Sequence, residues 1–294
     1  MLITCIPGHN SNPERVRLIE SSGKSIINTS LSSSILTLLK RRKEINIVEV
    51  WYPQHFLLLI LAKLLDKKTV FSPVTNSLLW FDVKGYLKVS LRYTIRRLLN
   101  WFLEEVTLLF SDLLLIQDSS LLEGWECRVR LGVRIEVVNN IIPEIDMVSS
   151  SSRKGILCLG NLEEHKMYYF HTLIKDWENV DWFGRRKRVF AVPTNMTYKG
   201  YIDKSQIRKI IGSYEVLAHP SCYEGSPRVV YEAIASNLLI RVHYKLKGLD
   251  DVKKFFPKNF NQIDKSSITK EELLNSIVSW NLRSIQTRRD ALRG

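Results

Sequence analysis

The alternation of apolar runs with helical segments constrains the fold of this chain more than any other feature of its sequence. In the first half, short apolar runs predict strands at 2–6, 46–51, 69–72, 112–117 and 135–138. Helical patterns separate several of these runs, at about residues 54–65 and 86–109. Strands and helices that alternate in this way form a parallel sheet with helices on both faces. The first half is therefore expected to have an α/β architecture.

A second round of alternation follows the polar stretch 147–154, which has the composition of a flexible linker. Strands are predicted at 156–159, 188–192, 215–218 and 239–242, and helices at 206–212, with Ser205 as its N-cap, and at 269–292. We therefore expect two Rossmann-like domains, 1–148 and 149–294, that face a cleft and bind ligands at the carboxyl ends of their strands. The terminal helix is the one element that can return to the first domain.

The charge of the chain indicates an anionic partner. Its net charge of +13 suits nucleotide phosphates, an anionic membrane surface or nucleic acid. The basic residues are dispersed, whereas nucleic-acid binding calls for a clustered basic face with stacking aromatics, so we disfavour nucleic acid. No apolar run approaches the roughly 20 residues of a membrane span, and the N-terminus lacks the features of a signal peptide.

The cysteine pattern predicts reduced thiols and a cytoplasmic protein. Cys5, Cys127, Cys158 and Cys222 are scattered, without a C-x-x-C pair. No D-x-D motif occurs, and no His/Cys cluster has metal-ligand spacing. We therefore expect neither a metal nor another cofactor.

The residues around 214–232 predict a ligand pocket. An apolar run ends in a Pro/Ser/Gly-rich loop, and Pro227 is expected to be the first residue of a helix. The unpaired N–H groups at a helix N-terminus attract phosphate and sugar oxygens. Glu224 and Glu232 accept hydrogen bonds, as sugar and ribose hydroxyls require. Together these features predict a nucleotide-sugar pocket.

Four segments in this order resemble the family 4 glycosyltransferases: Val137–Pro143, Leu157–Lys166, Tyr198–Asp203 and Val216–Glu232. The resemblance implies the type-B (GT-B) fold and transfer of a sugar from a nucleotide-sugar donor to a glycan, lipid or protein acceptor. It also implies retention of anomeric configuration without an obligatory protein nucleophile.

The resemblance assigns roles where positions match. It implies that Glu224 lies by the donor sugar, that Lys166 meets the diphosphate and that Glu232 holds the ribose; Glu224 and Lys166 are the catalytic candidates. The full donor-binding set is Gly8, Asn161, Lys166, Glu224, Gly225, Ser226, Pro227, Arg228 and Glu232. The acceptor-side candidates are His9, Asn10, His55 and Asn76; the other histidines, His165, His171, His219 and His243, are expected to be structural.

The chain departs from the family pattern in several places. Asn161 replaces an arginine, and Arg228 or Arg153 is the candidate to supply the missing charge. The loop 7–12 has one glycine instead of two, and 72–76 lacks the expected histidine. At 236–237 Ser-Asn replaces Cys-Gly, although asparagine tolerates the left-handed conformation of a helix C-terminus. Two rival functions remain: a nucleotide-sugar-binding protein without catalysis, and a nucleotide-sugar epimerase, which would need acids and bases not identified here.

The stretch 86–102 mixes basic and aromatic residues. It suits a peripheral position on an anionic membrane. We favour the alternative, a helix that packs in the core and presents a solvated basic face.

Overall fold

The computed structural model of this 294-residue chain describes residues 1–6, 13–74, 91–129, 132–143, 153, 155–161, 166, 169, 170, 173, 179–186, 194–221, 224–243, 245–260 and 269–294. The chain divides into two compact units. Unit 1 comprises Met1–Ile141 and Leu282–Gly294, and unit 2 comprises Ile142–Asn281. The boundary predicted at 148/149 and the predicted linker 147–154 fall mostly outside the described residues.

Unit 1 is built on a six-stranded sheet with the strand order β2-β1-β3-β4-β5-β6. Every pair of neighbouring strands is parallel. The elements are β1 (Leu2–Cys5), α1 (Pro13–Ser21), β2 (Ser25–Asn28), α2 (Leu31–Lys40), β3 (Ile47–Val50), α3 (Phe56–Leu64), β4 (Lys68–Phe71), α4 (Leu91–Leu109), β5 (Leu113–Ile116), α5 (Leu122–Glu126) and β6 (Arg134–Val137). The strand order reverses direction between β1 and β3, where such sheets bind ligands.

The predicted strands of unit 1 are confirmed, but the sequence analysis missed β2 and the helices on either side of it. All four residues of β2 are only half-buried, and its ends are polar. An edge strand of this kind lacks the apolar run by which the other strands were found. The helix expected at 54–65 begins as the 3-10 turn Pro53–His55 and continues as α3.

Unit 2 is built on a five-stranded parallel sheet with the order β11-β10-β7-β8-β9. Its elements are β7 (Ile156–Leu159), β8 (Val180–Phe183), β9 (Met196–Gly200), α6 (Lys204–Ile211), β10 (Val216–His219), α7 (Arg228–Ala235), β11 (Leu239–Val242), α8 (Asp250–Phe255), α9 (Pro257–Phe260) and α10 (Lys270–Arg293). The order reverses between β7 and β10. The predicted parallel α/β class is therefore confirmed in both units.

Several local predictions in unit 2 are corrected. Strands β8 and β9 were not predicted, and the strand expected at 188–192 lies outside the described residues. Ser205 is not an N-cap, because the first turn of α6 begins one residue earlier and the carbonyl of Asp203 accepts from the N–H of Gln206. Pro227 is the N-cap rather than the first residue of α7, since its ψ of 109° is extended.

Asn237 confirms the expectation for the Ser-Asn pair. It adopts a left-handed φ of 54° directly after the C-cap Ser236. In this conformation the Leu238 N–H donates to the carbonyl of Ala233, and β11 begins at the next residue.

Helix α10 contributes to the core of both units along its length. Leu273, Ile277 and Trp280 are buried in the main core of unit 2, and Ala291 is buried in a core cluster of unit 1. A capping box starts the helix: Thr269 Oγ1 accepts from Glu272 N–H, and Glu272 Oε2 accepts from Thr269 N–H.

A buried ion pair fixes the end of α10 within unit 1. Glu49, in β3, is fully buried and accepts two hydrogen bonds from Arg288, of 3.2 and 2.7 Å. Hydroxyls of Thr4 and Ser72 and the indole of Trp51 also donate to it. Burial raises the pKa of Glu49, but the charge of Arg288 and these hydrogen bonds outweigh burial and hold the pKa below its ordinary value.

Candidate functional site

The candidate site lies at the carboxyl edge of the unit 2 sheet, where the strand order reverses. Gly160 and Asn161 follow β7, and the loop that leads to Glu224 follows β10. Parallel sheets bind ligands at such a reversal because the loops of the two strands diverge there and leave a crevice. The two segments singled out by the sequence therefore meet at the position that the topology favours for a ligand.

Glu224 contacts two other ionisable side chains at this edge, Lys166 and His219. Its carboxylate pairs with Lys166, and Nε2 of His219 lies 3.3 Å from the same oxygen. The Glu224 and Lys166 side chains are 15% and 24% exposed, so a ligand can reach both. Burial alone raises the pKa of Glu224, but the charge of Lys166 and the contact with His219 outweigh it and hold the pKa far below its ordinary value. Glu224 is therefore an anion at neutral pH.

His219 is a residue of this site that sequence reasoning missed. It is the last residue of β10 and is almost fully buried. The available signal was its position, because side chains at the carboxyl end of a central parallel strand project toward the ligand edge. The expectation of a purely structural histidine left that position out.

The loop 224–227 is held by a close backbone contact with Gly248. A Cβ atom at Gly248 would lie 2.6 Å from the carbonyl oxygen of Gly225 and 3.0 Å from that of Glu224. Gly248 also has a φ of +89°, which side chains rarely adopt. Only glycine lets the chain before α8 support the loop at this distance, and the sequence analysis did not identify it.

The N-terminus of α7 makes no hydrogen bond to the side chain of its N-cap residue. The N-cap is Pro227, which has no side-chain acceptor. The neighbouring hydroxyl of Ser226 contacts the Tyr231 hydroxyl instead, at 3.1 Å. The N-terminal amides of a helix attract anions through their unpaired N–H groups and the helix dipole.

Glu232 lies one turn along α7 and forms an ion pair with Arg228. The Arg228 guanidinium donates to Glu232 Oε1 at 3.1 Å, with side chains 37% and 13% exposed. The pair orients both predicted residues on one face of the helix, four positions apart. The suggestion that Arg228 supplies the charge missing at Asn161 stays a prediction.

Arg153 does not compensate for Asn161. It precedes β7 and donates to the carbonyl of Asn237, which precedes β11. Both positions are at the amino edge of the parallel sheet, opposite Glu224. The interpretation of Arg153 as a substitute diphosphate ligand is therefore wrong.

Two glycines shape the loop after β7. The indole of Trp182 donates to the carbonyl of Gly160 at 2.9 Å, and a Cβ at Gly184 would lie 1.8 Å from that same oxygen. Gly184 therefore allows the end of β8 to pack directly on the loop of β7. Asn161, half-buried, follows at once. The predicted donor residue is held by packing that the sequence did not reveal.

An aromatic stack holds Tyr169 near the carboxyl edge of the unit 2 sheet. The rings of Tyr169 and His243 lie 3.6 Å apart and only 7° from parallel. Tyr169 N–H also donates to the carbonyl of Pro220 at 2.9 Å. Burial, with a smaller contribution from Lys245, lowers the pKa of His243. Tyr169 is therefore held against the residues that follow β10 and β11.

The acceptor-side candidates belong to unit 1. His55 ends the 3-10 turn after β3, half-buried, with its ring 6.4 Å from that of Tyr52. Burial lowers the pKa of His55, and among the described residues its Nδ1 has no hydrogen-bond partner. Gly8, His9, Asn10 and Asn76 lie outside the described residues.

No group of three or more His, Cys, Asp or Glu side chains in the described ranges is arranged to hold a metal ion. Of the helices that the structure describes, none combines the length and hydropathy of a membrane span.

No protein-family model and no curated protein sequence matches the chain. Solved structures do match. The model is similar to a sucrose-phosphate synthase from Thermosynechococcus elongatus, with a TM-score of 0.59 and 12% identity over 90% of this chain and 72% of that one. The apo lipopolysaccharide outer core galactosyltransferase WaaB gives a TM-score of 0.56 at 12% identity over 99% of both chains. A UDP-forming α,α-trehalose-phosphate synthase from Burkholderia xenovorans, in complex with glucose-6-phosphate, gives 0.54 at 10% identity over 90% of this chain and 75% of that one.

At these identities the similarity establishes the fold. Two parallel α/β sheets, each with a strand-order reversal, are shared with GT-B glycosyltransferase structures. The fold implied by the sequence resemblance is therefore confirmed: the chain has the GT-B glycosyltransferase fold.

Proposed function

We propose that this chain is a glycosyltransferase that moves a sugar from a nucleotide-sugar, bound at the carboxyl edge of unit 2, to a hydroxyl of an acceptor. One observation carries the proposal. An ionised Glu224 and a cationic Lys166, both partly accessible, adjoin an uncapped helix N-terminus at the reversal of a parallel sheet. A nucleoside diphosphate-sugar needs both kinds of group, cations and N–H donors for phosphate and carboxylates for hydroxyls.

Lys166 and the N-terminus of α7 are proposed to bind the donor diphosphate. Without ligand, Lys166 is paired with Glu224. A diphosphate carries more negative charge than one carboxylate, so it can draw Lys166 from this pair and leave Glu224 to accept from sugar hydroxyls. Glu232, oriented by Arg228, is proposed to accept from the ribose hydroxyls.

Electrostatic stabilisation of the leaving diphosphate is the proposed source of catalysis. By analogy with glycoside hydrolysis, breaking the bond between sugar and phosphate gives the sugar oxocarbenium character and leaves negative charge on the diphosphate. Preorganised cations and N–H dipoles at that charge lower the barrier. Because Lys166 and α7 supply them, we propose a reaction that needs no metal. We also propose retention of configuration, which the family resemblance implies. Chelation with EDTA is expected to leave the rate unchanged.

The similar structures suggest the first substrates to try. The trehalose-phosphate synthase is described as UDP-forming, which favours UDP-sugars as donors. The galactosyltransferase that matches 99% of both chains is described as acting on the lipopolysaccharide outer core, which favours a glycan acceptor, free or lipid-linked. The described cysteines Cys5, Cys127 and Cys158 are all unpaired, which supports a cytoplasmic location.

A thermal-shift panel of UDP-, GDP- and ADP-sugars tests donor binding. A ligand at 100 times its Kd stabilises the folded chain by about 2.7 kcal/mol. We expect one base to stabilise the wild type and Glu232→Ala to lose most of the shift. Glu271→Ala, which removes an exposed helix carboxylate elsewhere in unit 2, is the matched control and should keep the shift.

Product analysis with the best donor separates an enzyme from a binding protein. Release of the nucleoside diphosphate, with transfer of the sugar to glycan acceptors, is the expected result. A full thermal shift without release of nucleoside diphosphate to water or to any acceptor would favour the non-catalytic alternative. Interconversion of the donor sugar would favour the epimerase.

A further inference from the structure

Helix α4 presents an apolar stripe to solvent. Leu91, Ile95, Leu98, Leu99 and Phe102 are each between 45% and 76% exposed. Their spacing of i, i+4, i+7, i+8 and i+11 places them on one face of the helix. Five large apolar side chains in one row are more than the scattered exposure of an ordinary surface and indicate an interaction site.

The opposite face of α4 is the one that belongs to the core of unit 1. Thr107 and Leu108 are buried, and Glu104 forms a buried ion pair with Arg128. Asn100 accepts from Gln54 at 2.9 Å. The helix is therefore fully anchored without the stripe. The core-packing interpretation favoured for 86–102 is wrong for these five side chains, and residues 86–90 lie outside the described part.

The charge around the stripe is positive. From Leu91 to Leu103 the sequence has three arginines, Arg92, Arg96 and Arg97, and no acidic residue. The next two residues are acidic, Glu104 and Glu105, and both pair with Arg128. Arg96 is exposed on the same segment. The stripe thus combines exposed apolar area with a segment whose charged residues are all basic.

We propose that the α4 stripe, Leu91 to Phe102, docks on an anionic lipid bilayer. The helix would lie in the plane of the interface, with the apolar row at the boundary of the acyl chains and Arg96 among the headgroups. Twelve residues of helix span about 18 Å, enough for several lipid headgroups. Anionic headgroups attract each basic side chain near the surface.

The positive charge around the stripe favours an anionic lipid surface over a second copy of the chain as its occupant. Two copies packed through this stripe would bring their arginines together with no acidic residue of the same segment between them. The chain as a whole carries +13, which adds to the repulsion. An anionic surface removes that repulsion, and its acyl boundary takes up apolar side chains.

Vesicle flotation with the full chain tests the proposal. The probes are vesicles of phosphatidylcholine alone and vesicles that also contain phosphatidylglycerol. We expect binding to the anionic vesicles only. The pair Ile95→Gln and Phe102→Gln should lower partitioning about tenfold or more, and Arg96→Gln about fivefold at low salt.

The matched control is the pair Val278→Gln and Leu282→Gln on α10. These side chains are 55% and 62% exposed, close to the 56% of both Ile95 and Phe102, so the control removes a similar exposed apolar area. It should leave partitioning unchanged. Equal losses for the two pairs, or no binding to anionic vesicles, would overturn the proposal. So would a concentration-dependent dimer that the Ile95/Phe102 pair abolishes, because it would identify a second copy as the occupant.

Discussion

Each of the two sheets has a glutamate at the reversal of its strand order, and the two glutamates are used differently. In unit 1, Glu49 pairs in register with Thr4 across the reversal and is fully buried. In unit 2, Glu224 follows the strand at the reversal and its side chain is 15% exposed. One reversal therefore carries a sealed carboxylate within a strand, and the other carries an accessible carboxylate in the loop after a strand.

The partners of the two carboxylates explain the difference. Glu49 accepts two hydrogen bonds from Arg288 and one from each of three further donors. Its carboxylate therefore has no acceptor capacity left for a ligand. Glu224 has Lys166, a single flexible cation, and the nearby ring of His219. A rigid, saturated network fastens one element to another, whereas a lysine pair can exchange its partner for a ligand. Both glutamates carry a charge that is largely buried. They differ in whether the hydrogen-bonding capacity of the carboxylate is fully used, as it is at Glu49, or is left in part for a ligand, as at Glu224.

Loss of Arg288 should have the largest effect on stability. Arg288→Ala removes the cation that is hydrogen-bonded to the buried Glu49, which costs about 3–5 kcal/mol in the free energy of unfolding. Urea denaturation measures it. The exposed Arg283→Ala on the same helix is the control and should change little. A small effect of Arg288→Ala would mean that Glu49 is not an anchor and would remove the contrast with Glu224.

Glu224→Gln should impair activity while leaving the fold intact. The neutral amide keeps the shape of the side chain but weakens its interaction with sugar hydroxyls and Lys166. We expect kcat/KM to fall about 10²-fold, within the range for loss of one preorganised polar contact. Far-UV circular dichroism should stay near that of wild type, and the urea midpoint should fall less than it does for Arg288→Ala. If unfolding, and not catalysis, is what changes, Glu224 is an anchor like Glu49.

Gly248→Ala should displace the loop 224–227. The new methyl group meets backbone carbonyls, which cannot rotate away, so we expect a loss of about 1–3 kcal/mol of stability and weaker donor binding. Gly200→Ala is the matched control, because Gly200 has the same φ of +89° but nothing within 4 Å of the added Cβ. The difference in lost stability between the two variants gives the cost of the close contact separately from the cost of backbone strain. Equal effects on donor affinity would show that the contact does not position the loop.

Acid should weaken both carboxylate networks. The folded-state pKa values of Glu49 and Glu224 are both lowered. The stability that such groups contribute is present above the unfolded-state pKa of about 4.3 and is lost as pH falls toward the folded values. Wild-type stability should therefore decline below about pH 5, and the stability of Glu224→Gln should decline less steeply. A steeper decline in the variant would contradict the lowered pKa of Glu224.

Much of the fold followed from local sequence patterns. Apolar runs located most strands of unit 1 and three strands of unit 2, because a buried parallel strand needs an unbroken row of apolar side chains. Strand β2 is half-buried and β8 and β9 alternate, so the same criterion missed them. Turn chemistry placed the loop before α7 to within one residue, since proline is restricted to the first turn or the cap.

The sequence identified only some of the residues of the candidate site. Glu224, Glu232 and Lys166 are named by spacing along the chain, and their roles as donor ligands stay predictions. His219, Gly248 and Gly184 act through distances between segments that are far apart in sequence, and nothing local marks them. The same holds for α4: its sequence specifies an amphipathic helix, but which face meets the core depends on where Arg128 and Gln54 lie.

The sequence by itself determined the two parallel α/β sheets, the edge at which a ligand would bind and the acidic and basic residues near it, because hydrophobic periodicity and turn residues act within a few positions. The tertiary structure alone decided which glutamate is saturated and which is accessible, which glycines bear backbone contacts and which face of α4 is left to solvent. Those outcomes depend on burial and on partners distant in the chain, and only packing of the folded chain brings them together.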